Sequence, residues 1–129
     1  PNHNVSIRWM GLVPHKAIPE LDRSAHLLFS ADINAACPNS VVEALACGLP
    51  VVSYSTGSLP ELVAQDAGRV VPYSSNYWNL EVPNNSTLVK ASIEVLTNQL
   101  RFRKAARKRA ETLFNVNQMV EKYIEVLFI

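Results

Sequence analysis

The sequence predicts an α/β fold with a mostly parallel sheet and helices on its faces, and three observations carry that prediction. Short apolar runs alternate with short helical patterns through the first two thirds of the chain, the order expected of strands joined by crossover helices. Runs such as Val51-Val52 and Val70-Val71 are apolar throughout, which suits strands covered on both faces. All four glycines and all eight prolines lie before Asn84, so the last third has no breaker and reads as helix.

Taken in order, the apolar run Val5 to Met10 predicts a first strand and Ile18 to Ser24 a first helix. His26 to Phe29 predicts the second strand, followed by a helix from Asn39 to Cys47. Val51 to Tyr54 and Arg69 to Val71 complete four expected strands, with a helix at Leu59 to Gln65 between them. The polar stretch Ser74 to Asn85 reads as a loop. Beyond it, Leu88, Ser92, Ile93, Leu96 and Leu100 recur at helical spacing, as do Met119, Tyr123, Ile124, Leu127 and Phe128, predicting amphipathic helices packed on the sheet. A further helix lies between them, with Phe102, Ala105, Ala106, Ala110 and Leu113 on one face. Its other face carries six of the twelve basic residues: Arg101, Arg103, Lys104, Arg107, Lys108 and Arg109. Such a run is expected to be a solvated helix face.

The chain has 129 residues, 48% apolar and 18% charged, and carries a net charge of +1. This composition excludes disorder, collagen and coiled coil, and fits one globular domain large enough for a core without staples. Near-neutral charge argues against a nucleic-acid binder. No apolar run approaches the ~18–20 residues of a transmembrane segment and no export signal is visible, so a cytoplasmic address is expected. The sequons at Asn4, Asn84 and Asn85 are then chance. Cys37 and Cys47 form neither a zinc nor a CxxC pattern and are expected to be reduced.

No GxxxxGK[ST], GxGxxG, GxSxG or HExxH pattern occurs, which removes the usual nucleotide-triphosphate, dinucleotide, hydrolase and zinc readings. His3, His15 and His26 are dispersed and read as structural histidines. One dense stretch remains, Cys37 to Val52: a loop, a short helix begun by Pro38 and stopped by Gly48 and Pro50, then a strand. The amides of Asn39, Ser40 and Val41 are expected to lack intrahelical partners at the carboxyl end of a parallel strand, where a helix dipole favours an anion such as a diphosphate. Glu43, one turn further, is a good acceptor for paired hydroxyls such as those of a ribose. The same carboxylate would also complement the helix dipole by ~0.3–1 kcal/mol with no ligand present.

These residues resemble the C-terminal, donor-binding domain of GT-B retaining glycosyltransferases, the glycosyl transferases group 1 family. Pro1-Asn2 through Val5, Trp9, Gly11 and Val13 is similar to its "PNV-x-F-x-G-x-V" opening, and Ile18-Pro19-Glu20-Leu21 with Arg23-Ser24-Ala25 to its "LPELYRSAD" helix. Glu43 to Val52 matches "EAxACGLPVV" almost letter for letter. Gly57-Ser58-Leu59-Pro60-Glu61 stands for "GGLPE" and Gly68-Arg69-Val70-Val71-Pro72 for "GLLVP".

The resemblance implies a Rossmann-like fold, the later half of a GT-B C-terminal domain, with residues 1–129 forming a single partial domain that binds a nucleotide sugar. It implies transfer of a sugar from a nucleotide diphosphate donor to a glycan, lipid or other acceptor with retained configuration, as in polysaccharide biosynthesis, and without a bound metal or further cofactor. The fragment alone is expected to be inactive. Implied partners are the nucleotide sugar and a missing N-terminal acceptor domain of the same protein. Nucleic acid and a transmembrane segment are not expected, and an open sheet edge could pair copies into a homo-oligomer.

Donor binding is assigned to Asn39, Ser40, Val41 and Glu43, with no catalytic proton-transfer residue and no metal ligand. Glu43 matches the second of two family glutamates, the one that holds the ribose hydroxyls. The first, eight places earlier, is replaced by Ala35, with Asp32 three residues away in what reads as a solvated loop. That departure leaves a second reading, a degenerate non-catalytic nucleotide-sugar-binding or scaffold module. A sugar-nucleotide epimerase of the same fold is a third.

Overall fold

The computed structural model describes residues 4–128. Pro1, Asn2 and His3, which include the start of the family-like opening and one of the three histidines, lie outside the described residues, as does Ile129. A parallel sheet of three strands, β1 (Leu28–Ser30), β2 (Val51–Tyr54) and β3 (Gly68–Val71), runs in that spatial order. Leu28 pairs with Val51, and Val51 with Gly68. β2 is buried along its whole length, Ser53 included, as suits the central strand of a parallel sheet covered on both faces.

Four strands were expected and three form among the described residues. Val5 to Met10 makes no ladder, and Val5, Ile7 and Trp9 are exposed. An extended segment gains little without a partner for its backbone groups, and this one finds none among the described residues.

The helices fall close to their expected places: α1 (Ile18–Ser24), α2 (Asn39–Ala46), α3 (Leu59–Leu62), α4 (Ser86–Thr97), α5 (Gln99–Leu113) and α6 (Val116–Leu127). A 3₁₀ turn, His15–Ala17, leads into α1, and another, Tyr77–Asn79, interrupts the long loop before α4. Helices cover both sheet faces. On one, Val41, Ala44 and Leu45 of α2, Leu59 and Leu62 of α3, and Ala106 and Ala110 of α5 pack against Val51. On the other, Ala91 and Val95 of α4 and Phe102 pack on Val52, Tyr54 and Val71. Phe102 is completely buried, and a buried side chain of this size contributes about 1.5–3 kcal/mol.

The C-terminal third departs from its periodicity in four ways. In α4 the buried face is Ala91 and Val95 with Leu88 half-buried, while Ile93 and Leu96 are exposed. The turn at Asn98 moves Leu100 into α5, where it too is exposed. Leu113, expected on the apolar face of α5, is also exposed, and α6 buries none of its residues, so it is amphipathic but does not pack on the sheet.

The basic run is a solvated face only in part: Arg101, Lys104, Arg107 and Lys108 are exposed, Arg103 is half-buried and Arg109 is buried, and three of the arginines reach helix ends. Arg103 donates to the carbonyls of Ala25 (2.8 Å) and Arg23 (3.1 Å) at the end of α1. Arg107 donates to the Ala46 carbonyl at the end of α2. Arg109, itself buried, donates to Leu62 (2.6 Å) and Glu61 at the end of α3. A helix leaves its last carbonyls without intrahelical partners and gives that end partial negative charge, so a guanidinium satisfies both. Three arginines of α5 cap three different helices. Arg101 does different work, pairing with Asp66 at 3.0 Å, and Asp66 also pairs with Arg69 at 2.9 Å.

Candidate functional site

The carboxyl ends of β1 and β2 open into two loops that meet backbone to backbone. The Ser58 amide donates to the Ala35 carbonyl at 3.0 Å. Gly57, at φ +54°, lies where an added Cβ would come within 2.5 Å of that carbonyl oxygen. Only glycine tolerates both the conformation and the approach. Thr56 adds a side-chain tie, donating to the Asp32 carbonyl and accepting from the Asn34 amide, each at 3.4 Å. Asp32 is exposed, and its carboxylate accepts from the Ser30 hydroxyl at 3.0 Å. Ala35, where the resemblance has its first glutamate, presents only a methyl group.

From this loop the chain enters α2 through Pro38, which takes the cap position in extended conformation and offers no side-chain oxygen. Of the three amides expected to be unpaired, that of Val41 is not: it donates to the Pro38 carbonyl at 3.1 Å, and its side chain is wholly buried. The proline closes a tight first turn and consumes it. Asn39 and Ser40 are exposed, and no acceptor among the described residues takes their amides. Free amides at the positive end of an eight-residue helix are suited to an anion.

Glu43 lies four residues beyond Asn39, on the same helical face and about 6 Å along the axis. Its side chain lines a groove of about 150 Å³ between α1 and α2, with His15, Ile18 and Pro19 on one wall and Ala46 and Cys47 on the other; Asn39 and Ser40 do not line this groove, so the carboxylate and the free amides share a helix but not a pocket. Whole small-molecule sites occupy about 300–1,000 Å³, so this groove is sized for one ring of a ligand.

Charge around the groove is mixed. Nε2 of His15 is 3.4 Å from Oε1 of Glu43. Burial, and then the Glu43 charge, push the Asp22 carboxyl above its ordinary range. Burial also raises the Cys47 thiol, Asp22 adds to the effect, and Arg23 and Arg107 oppose it. Both cysteines are free.

Residues 2–113 match the family described as Glycosyl transferases group 1. The chain belongs to the glycosyl transferases group 1 family. Two relatives agree with this placement. The chain is 30% identical over 96 residues to a 2-deoxystreptamine N-acetyl-D-glucosaminyltransferase of Streptomyces fradiae, covering 73% of this chain and 20% of the relative. It is 38% identical over 64 residues to an O-antigen chain mannosyltransferase B of Escherichia coli, covering 50% of this chain and 16% of the relative. The chain thus spans about a fifth or less of the length of these relatives. No solved structure matches it.

The glycosyl transferases group 1 assignment and the three-stranded parallel sheet together bear out the Rossmann-like α/β fold read from the sequence. Among the described residues no helix is long and apolar enough to cross a membrane, and no three His, Cys, Asp or Glu side chains gather as a metal site. His15 was missed as a groove residue because sequence separation from Glu43 hides it. His26 is exposed and precedes β1, and its backbone carbonyl accepts from Gln99 at 2.8 Å.

Proposed function

We propose that this chain is the nucleotide-sugar-binding portion of a retaining glycosyltransferase, a single partial domain whose acceptor surface lies in another part of a larger protein. The observation that carries this reading is Glu43 on one groove wall, one turn from the unpaired amides of Asn39 and Ser40, in a member of the glycosyl transferases group 1 family. The amides hold the diphosphate as charge grows on it during cleavage of the glycosidic bond, a preorganised electrostatic effect. Glu43 accepts the ribose hydroxyls and orients the donor. No residue of this chain is assigned a proton transfer, and a metal has no part in the reading. The acceptor is a glycan, a lipid or another hydroxyl compound, as in polysaccharide biosynthesis. A cytoplasmic address goes with the two reduced cysteines.

Two experiments test the reading. The complete protein is expected to consume a nucleotide sugar in an acceptor-dependent reaction, whereas residues 1–129 alone are expected to bind nucleotide weakly and turn nothing over. Donor-independent behaviour of the complete protein overturns it.

A second reading, a module that binds a nucleotide sugar without turnover, is favoured by Ala35, which supplies no carboxylate at the loop position where the resemblance has one. Losing one carboxylate to hydroxyl hydrogen bond costs about 1.5–3 kcal/mol, or roughly ten- to over a hundredfold in donor handling. Any donor-dependent sugar transfer by the complete protein removes this second reading.

A further inference from the structure

The two walls of the Glu43 groove come from different elements: the 3₁₀ turn and α1 supply His15, Ile18 and Pro19, and α2 with its cap supplies Glu43, Ala46 and Cys47. Across the groove they meet in the exposed 3.4 Å contact of His15 with Glu43, and a second, stronger tie lies behind them, on α5. Arg103 and Arg107 are one helical turn apart and so point the same way. The first grips the end of α1 through the carbonyls of Arg23 and Ala25, and the second grips the end of α2 through the carbonyl of Ala46. Glu111 steadies the second guanidinium from the far side, accepting from Nε of Arg107 at 2.7 Å.

Gly48, just past the end of α2, holds φ +70°, a conformation that suits glycine, and lies against α5, where an added Cβ would make ordinary contact with the Arg103 carbonyl oxygen at 3.4 Å and Cβ of Arg107 at 3.7 Å. α2 is fixed along its inner face by buried Val41, Ala44 and Leu45 and at its end by the Arg107 bond to Ala46, so loss of that bond frees the end nearest the groove and shifts Glu43, three residues earlier, against the α1 wall. Charge-assisted bonds to the last carbonyls of both helices are among the stronger ties available to such short elements.

We propose that Arg103 and Arg107 are positioning residues for the donor seat, setting the separation of α1 and α2 and with it the placement of the Glu43 carboxylate. This rests on the reading of Glu43 as the donor's hydroxyl acceptor. Neither arginine touches the donor. Arg109 provides an internal control, because it caps a helix in the same way but on α3, which does not line the groove.

The test uses the complete protein and the tightest binder among UDP, GDP and ADP, titrated calorimetrically well below the unfolding temperature of each variant. Glu43→Ala, Arg103→Ala, Arg107→Ala, Arg109→Ala and the Glu43→Ala/Arg107→Ala double variant are compared. The expected result is a loss of about fivefold or more in affinity for Arg103→Ala and Arg107→Ala, none for folded Arg109→Ala, and no further loss when Arg107→Ala is added to Glu43→Ala. Arg107→Lys, which keeps one charged donor for the Ala46 carbonyl, is expected to recover part of the affinity.

Wild-type affinity in folded Arg103→Ala and Arg107→Ala would reduce both arginines to structural caps and overturn the proposal. Additive losses with Glu43→Ala, or an equal loss in Arg109→Ala, would overturn it too. If the wild type binds none of the three nucleotides, or Glu43→Ala alone binds like wild type, the donor reading fails first and takes this proposal with it.

Discussion

Nε2 of His15 stands 3.4 Å from Oε1 of Glu43, joining a 3₁₀ turn ahead of α1 to the middle of α2. The His15 side chain is 85% exposed and that of Glu43 37%, so water screens the contact. Exposed pairs of this kind contribute about 0–1 kcal/mol.

His15→Ala is therefore expected to change nucleotide affinity by less than about fivefold. Calorimetric titration of the complete protein checks this. A loss as large as that of Glu43→Ala would make His15 a direct ligand group and not a neighbour of one.

Arg109 is buried and holds two carbonyls at the end of α3. Arg109→Ala leaves those acceptors without a partner and opens space beside the core, and should destabilise the fold by roughly 2–4 kcal/mol. Denaturant unfolding measures it. A change within experimental scatter of wild type would mean that water replaces the guanidinium without penalty.

Gly57→Ala places a methyl group against the Ala35 carbonyl oxygen at a backbone conformation that suits glycine. The two loops at the carboxyl end of the sheet must separate, with an expected stability loss on the order of 1–3 kcal/mol. Amide exchange should rise at Ser58, whose N–H donates to Ala35. Unchanged protection at Ser58 would count against this loop contact.

Acid should weaken one surface network selectively. Hydrogen bonds from Arg101 and then Arg69 hold the Asp66 carboxyl below its ordinary range, and Arg69 does the same for Glu94. Because these folded-state values are depressed, the stabilisation is complete above the ordinary carboxylate range near ~4 and is lost as the pH falls through the lower folded values. Asp66→Asn should therefore flatten the decline of stability below pH ~4. A decline as steep as that of the wild type would show that the network does not contribute.

Much of the fold was legible because local signals and tertiary demands agree. β2 and α1 occupy their expected spans, since a valine-led run bounded by Pro50 and a helix with proline in its first turn admit few alternatives. The region around Glu43 was legible for the same reason, through Pro38 and Gly48 at the two ends of α2.

What failed was anything decided by a distant partner. Val5 to Met10 has the composition of a strand, but a strand exists only with a neighbour to pair with. Composition cannot tell a hydrated arginine from one gripping a helix end, so the roles of Arg103, Arg107 and Arg109 were invisible. The buried stripe of α4 is Ala91 and Val95, packed in one cluster with Tyr54, Tyr73 and Phe102, and it turns the larger side chains of Ile93 and Leu96 to the outside. The Val41 amide was misjudged by one local fact, the carbonyl of Pro38 turning back into the first turn.

The most direct test is nucleotide titration of the Glu43→Ala variant of the complete protein against wild type. The account predicts that nucleoside diphosphate affinity falls about tenfold or more, the value of a hydrogen bond to a charged acceptor. An affinity equal to that of the wild type would leave Glu43 as a charge on a helix and contradict the donor site described for α2.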